Sequence, residues 1–152
     1  MTGRHGHSPE PASARPEMTA QLMAGTGLDE EILELLVHRF YGKIRSDELL
    51  GPIFEQRIED WDTHLGQMVA FWSSVALMTG RYHGTPMPKH ARLPISWTHF
   101  ERWLELFRET AYEICRPEGA AHVIERAERI ARSLYMGVED VASREGVRAP
   151  GR

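Results

Sequence analysis

Apolar side chains return every three or four positions through most of this chain, the spacing that turns one face of an α-helix toward a core. Leu33, Val37, Phe40, Tyr41 and Ile44 form the first such stripe, while Glu30, Glu31, Glu34, Arg39 and Lys43 occupy the other faces. Thr26-Gly27-Leu28-Asp29 stands in front of it as a weak capping signature. Gly51-Pro52 then breaks the chain after a short Ser46-Asp47-Glu48-Leu49 stretch, and Ile53-Phe54 anchors the corner. Ile58, Trp61, His64, Leu65, Met68, Phe71, Trp72 and Val75 predict a second helix that ends near Gly80. Phe100, Trp103, Leu104, Phe107, Ala111 and Ile114 predict a third, capped by Ser96 or by a Thr98-x-x-Glu101 box. Beyond Pro117 and Gly119 a fourth follows, carried by Val123, Ile124, Ala127, Ile130, Ala131, Leu134 and Val138. Gly84, Pro86, Pro88 and Pro94 break the stretch from Gly80 to Ser96 too often for a long helix. No stretch alternates as a strand does, and no fixed-period repeat is present. The pattern predicts an all-α domain, and an ordinary four-helix bundle satisfies this much.

A chain of 152 residues, 41% of them hydrophobic, suits one domain with one buried core. Residues 1–24, rich in Pro, Ser, Gly, Arg and His, are expected to be a disordered arm, 25–142 the folded domain, and 143–152 a frayed tail. The formal charge of −4 comes from 18 basic and 22 acidic residues spread without long blocks. This gives no footprint for nucleic acid and no polybasic membrane anchor. No apolar run approaches the roughly 20 residues that cross a bilayer, and the first residues lack the hydrophobic core of a signal peptide, so a cytoplasmic location is expected. Cys115 is the only cysteine, which excludes an intrachain disulfide, a four-thiolate metal site and a C-x-x-C-H haem attachment.

Three residues in different elements are candidates for iron chemistry: Tyr41 on the first stripe, His64 on the apolar face of the second, and His90 in the Pro-rich segment. A haem iron needs one strong axial ligand from the protein, usually a neutral imidazole, and leaves the opposite position open for a gas. His90, bracketed by Pro88 and Pro94, has a stiff support for that task, and Lys89 and Arg92 beside it could reach haem propionates. Taken alone, however, a loop histidine reads as a surface residue or turn partner, and His64 as a core histidine satisfied by a hydrogen bond. Tyr41 and Trp103 read by default as large rings that bury area. The remaining helical histidines, His38, His99 and His122, sit at polar or boundary positions and suggest no role.

Five segments in register change that balance. Phe40-Tyr41-Gly42-Lys43-Ile44-Arg45, the Leu50-Gly51-Pro52-Ile53-Phe54 corner, Trp61-x-x-His64 with Phe71-Trp72, Pro86-Met87-Pro88-Lys89-His90-x-x-Leu93-Pro94, and Phe100-x-x-Trp103-Leu104-x-Leu106-Phe107 together resemble a group III truncated haemoglobin of bacteria. The resemblance spans roughly residues 28–138, and the Gly-Gly pairs that mark the other two groups are missing. It implies a two-over-two helical sandwich around non-covalent haem b. His90 matches the proximal ligand, Tyr41 and His64 the distal pair, and Trp103 the tryptophan that faces bound ligand. Phe40, Phe54, Met68 and Trp72 match apolar pocket positions. The implied ligands are O2, NO and CO. Nitric-oxide dioxygenase or peroxidase-like turnover would need an external reductase, since no G-x-G-x-x-G fingerprint is present, and a non-catalytic gas carrier or sensor is the alternative.

Overall fold

The computed structural model describes residues 15–84 and 95–144. Among them six helices follow in order: α1 (Pro16–Thr26), α2 (Glu30–Ser46), α3 (Gly51–Arg57), α4 (Trp61–Leu77), α5 (Trp97–Ile114) and α6 (Pro117–Arg144). The four long stripes read from the sequence correspond to α2, α4, α5 and α6, and no strand occurs among the described residues. Helices α2 and α4 pack together, α5 packs on α6, and the two pairs meet through α2 on α5 and α4 on α6. The core between them holds Leu33, Phe40, Trp72, Phe107, Val123 and Ala127, each no more than 2% exposed.

The helix ends have identifiable causes. Asp29 caps α2 by accepting the Ile32 N–H at 2.8 Å, so the cap lies three residues beyond Thr26, which instead closes α1. The Asp47 carboxylate accepts the Leu49 and Leu50 N–H groups at 3.1 and 3.0 Å and takes Arg102 Nε at 2.7 Å. Asp47 thus ties the corner after α2 to α5, and its carboxyl is held below the usual carboxylate range despite burial by the hydrogen bonds from Arg102 and Leu50. The corner itself is helical, because Pro52 sits in the first turn of α3, where its missing N–H costs nothing. Helix α4 is capped by Asp60 and ends at Leu77, ahead of the expected Gly80, with Met78 in the left-handed conformation at φ 58°. Helix α5 is capped by Ser96, and its reciprocal partner is His99 rather than the Thr98 and Glu101 pair.

The largest departure from expectation is α1. Residues 1–24 were expected to form a disordered arm, yet residues 16–26 form a helix that packs on α4 and α6. Leu22 packs against the core while Met18 and Met23 stay 42% and 37% exposed, so no continuous apolar stripe marks this helix in the sequence. What holds it is partly polar: Thr19 donates to Leu77 O at 2.7 Å, occupying one of the carbonyls left open at the end of α4. Gly27 at φ 76° closes α1, and a Cβ there would meet the Arg116 side chain at 2.8 Å. Residues 1–14 and the tail 145–152 lie outside the described residues, as does the segment 85–94.

Because Leu22 and Thr19 belong to the fold, deleting residues 1–24 is expected to lower the unfolding free energy by about 1–2 kcal/mol, the value of one partly buried large side chain and one hydrogen bond. A urea titration that gave the same midpoint with and without these residues would show that α1 does not dock.

Candidate functional site

A cavity of about 480 Å³ lies between α3, α4, α5 and α6, within the range of small-molecule and cofactor pockets. One face of α4 supplies much of its wall. His64, Met68 and Trp72 follow one another at four-residue intervals, with Gln67 and Phe71 beside them. Helix α5 contributes Phe100 and Trp103 from the same stripe that buries Phe107, and α6 contributes Ile130, Ala131 and Leu134. Phe54 comes from α3, and Tyr41 reaches the cavity from the buried face of α2.

The wall is built largely of rigid rings. Tyr41 stands edge-on to His64 at 5.3 Å and to Phe54 at 5.9 Å, and His64 stands edge-on to Trp61 at 5.6 Å. Arg45 covers Trp61 from outside, 4.4 Å from the ring centroid, and is itself paired with Glu55 at 3.0 Å. Trp72 stacks on Phe107 at 4.8 Å, and Phe107 stacks on Trp103 at 5.6 Å. Phe40 was expected on the pocket wall; it lies one layer behind, edge-on to Tyr41, Trp103 and Phe107 at 5.0, 5.4 and 5.2 Å. It is absent from the lining and fixes the rings that form it.

Few polar groups face this space. Burial pushes the Tyr41 phenol well above its ordinary range, so its O–H keeps its proton and can serve as a donor. Among the described residues its hydroxyl makes no hydrogen bond. The Trp103 indole N–H is a second donor on the lining, and unlike the phenol it cannot accept a hydrogen bond. Trp61 Nε1 is buried and has no hydrogen-bond partner among the described residues. Among those residues no group of three or more His, Cys, Asp or Glu side chains could hold a bare metal ion. The thiol of Cys115, pushed up to about 11 by burial, is protonated and inert at neutral pH.

The structure therefore brings Tyr41, His64, Trp103, Phe54, Met68 and Trp72 to one cavity. His90, Lys89 and Arg92 lie outside the described residues. The described chain stops at Gly84 and resumes at Ile95, and residues on both sides of that interval, Tyr82 and Ile95, line the cavity. Several lining residues had no signal in the sequence. Arg57, the last residue of α3, falls in none of the motifs read from the sequence, and His99 read as a polar or boundary residue of α5. Gln67 was findable in principle, since it follows His64 by three positions on the same helix. The inner face of α6 was legible as core, but nothing distinguished cavity wall from solid packing.

The family model described as bacterial-like globin matches residues 23–136. A group 3 truncated hemoglobin of Campylobacter jejuni is 36% identical over 109 residues, covering 68% of this chain and 86% of that protein. The crystal structure of a group III truncated hemoglobin from Campylobacter jejuni superimposes with a TM-score of 0.69 at 34% identity, covering 73% of this chain and 91% of that one.

Two substitutions should separate wall from fold. Trp72→Ala removes a ring that is 2% exposed and stacked on Phe107, and is expected to cost about 3–5 kcal/mol. Tyr41→Phe deletes a hydroxyl with no hydrogen-bond partner among the described residues and should leave the ligand-free chain within about 0.5 kcal/mol of the parent in urea denaturation. A loss above about 1 kcal/mol for Tyr41→Phe would mean that the hydroxyl holds the fold rather than facing the cavity.

Proposed function

The chain belongs to the bacterial-like globin family, and from that premise we propose that its cavity holds haem b non-covalently, with His90 as the protein's ligand to the iron. Its fold is that of the truncated globins, two helices over two. The family implies haem and diatomic gases; the haem type, the ligand residue and the reaction are proposed.

The observation that carries it is convergence. Tyr41 and His64 from one helix pair and Trp103 from the other meet on a single cavity, walled by aromatic and aliphatic side chains, with rim residues on either side of the segment that contains His90. Flat, apolar walls suit a porphyrin, and the scarcity of polar groups suits a ligand that is itself apolar over most of its surface. Bound there, haem would supply an iron able to bind a diatomic gas.

The chain's own residues set what happens to that gas. Tyr41 keeps its proton because burial disfavours the phenolate, so it is a permanent donor toward a polar or polarised diatomic. Trp103 donates from the adjacent helix. Neither can accept a proton, so the pair binds without acting as a base. His64, held edge-on between Tyr41 and Trp61, stands where rotation of its ring would widen or narrow access, the role of a gate. Met68, Trp72 and Phe54 keep water away from the ligand. Lys89 and Arg92 are proposed to pair with the haem propionates. Such a pocket releases gas slowly, which suits redox chemistry better than delivery. Turnover of NO with O2 to nitrate needs an electron from a reductase outside this chain.

Titration of the purified chain with hemin is expected to give a sharp Soret band that saturates at one haem per chain, and His90→Ala should lose the five-coordinate ferrous spectrum. Hemin uptake with no defined stoichiometry would remove the reading altogether. Tyr41→Phe is expected to speed O2 release about tenfold, equivalent to roughly 1.4 kcal/mol of lost donor stabilisation, and stopped-flow displacement by CO would measure it. Given O2, NO and a reductant, the chain should consume many equivalents of NO; consumption that stops at one equivalent leaves a gas-binding protein without turnover.

A further inference from the structure

Helix α5 begins with an unusual reciprocal cap. In the common form, a Ser or Thr cap is answered three residues on by Glu or Gln; here the answering residue is His99. The Ser96 N–H donates to His99 Nδ1 at 3.0 Å, and Ser96 Oγ lies 3.3 Å from the same nitrogen. A nitrogen that accepts the backbone N–H carries no hydrogen, so the neutral ring carries its hydrogen on Nε2. Nδ1 is turned back to the backbone, which leaves the opposite edge of the ring as the one that can meet the cavity His99 lines. Among the described residues Nε2 has no hydrogen-bond partner. A donor is thereby fixed on a wall that is otherwise mostly apolar, near Ile95 and one turn before Trp103.

An occupant that is flat and apolar over most of its surface but carries ionised carboxylates at one edge cannot set those carboxylates against Phe, Met or Ile side chains without a large desolvation cost. They must go where donors are. Resting on the haem reading above, we propose that His99 binds a haem propionate through Nε2–H, so that the capping box of α5 is also part of the cofactor site. The cap orients the ring, and the ring holds the carboxylate. Folding of the first turn of α5 and retention of the cofactor are then linked through one side chain.

The cap suggests a variant that separates the two tasks. In His99→Gln the amide oxygen can accept the Ser96 N–H, as Gln does in ordinary capping boxes, while the donor on the far edge of the ring is gone. The full-length chain is loaded with hemin, and transfer to an excess of a haem-scavenging apoglobin is followed by absorbance. His99→Gln is expected to match the parent in far-ultraviolet circular dichroism and to lose hemin about tenfold faster, the effect of one charge-assisted hydrogen bond. His99→Glu keeps the acceptor and adds a charge of the wrong sign, and should lose hemin faster still. With hemin dimethyl ester, whose carboxylates are blocked, parent and His99→Gln should release the cofactor at equal rates. Equal loss of hemin from the parent and either variant overturns the assignment, and so does a rate difference that persists with the ester. A parent chain that takes up no hemin at all overturns the haem reading as well, whereas a parent that binds hemin normally beside an unaffected variant overturns the role of His99 alone.

Discussion

The stack of Phe107 between Trp72 and Trp103, with Phe40 edge-on behind, is what keeps a cavity open inside a helical core. Protein interiors are packed about as densely as organic crystals, and flexible aliphatic chains tend to relax into any void beside them. Fused and six-membered rings cannot do so, because each has only two side-chain torsions and each is already wedged by its neighbours. The energetic scale shows why this matters. At about 24 cal/mol per Å³, a dry void of the observed 480 Å³ would cost on the order of 10 kcal/mol, comparable to the whole stability of a small domain. Holding such a space open is costly for the folded chain, and any ligand that binds the folded chain alone adds to its stability.

The same rings explain which parts of the fold could be read from the sequence. Helices α2, α4, α5 and α6 have broad apolar faces, and a period of three to four positions is enough to find them. Helix α1 has no such face: Leu22 is its one apolar side chain against the core, beside buried Thr26, and its docking depends on Thr19 reaching the end of α4. A hydrogen bond between residues 58 positions apart leaves no local trace. The corner misled for a different reason, since Gly51-Pro52, which reads as a break, instead starts a helix, and periodicity cannot tell an ending from a beginning in seven residues.

Within the site, the resemblance located the residues with distinctive chemistry, Tyr41, His64 and Trp103, and these do share a cavity. It placed Phe40 on the wall, where the structure puts it in the layer behind. The difference is one of depth, which a helical period does not encode: Phe40 and Tyr41 are neighbours in sequence, both buried, and only the tertiary packing decides which ring meets the cavity. His99 was illegible because its two roles cancel in a sequence. Three positions after a serine it resembles neither the acidic residue of an ordinary cap nor a residue of the apolar stripe.

Polar contacts do the remaining work of holding both ends of the interval 85–94 in place. Met78 turns the chain in a left-handed conformation, the buried hydroxyls of Ser73 and Thr79 meet at 2.6 Å, and Ser73 also donates to Glu30 at 2.7 Å. Glu30 in turn pairs with Arg81 at 2.8 Å, and the Tyr82 N–H reaches Ser74 Oγ at 2.8 Å. Nearly every residue from 78 to 82 is therefore tied to the start of α2 or the end of α4. At the other end Ile95 and Ser96 are 6% and 4% exposed, and Ser96 is locked to His99. The two exits of the interval are fixed to the same helices that carry Tyr41, His64 and Trp103. The helices that carry Tyr41, His64 and Trp103 are thus tied to both ends of the interval through short hydrogen bonds and one ion pair, and a change in the Ser73–Glu30 contact would reach the pocket without touching a single residue of its wall.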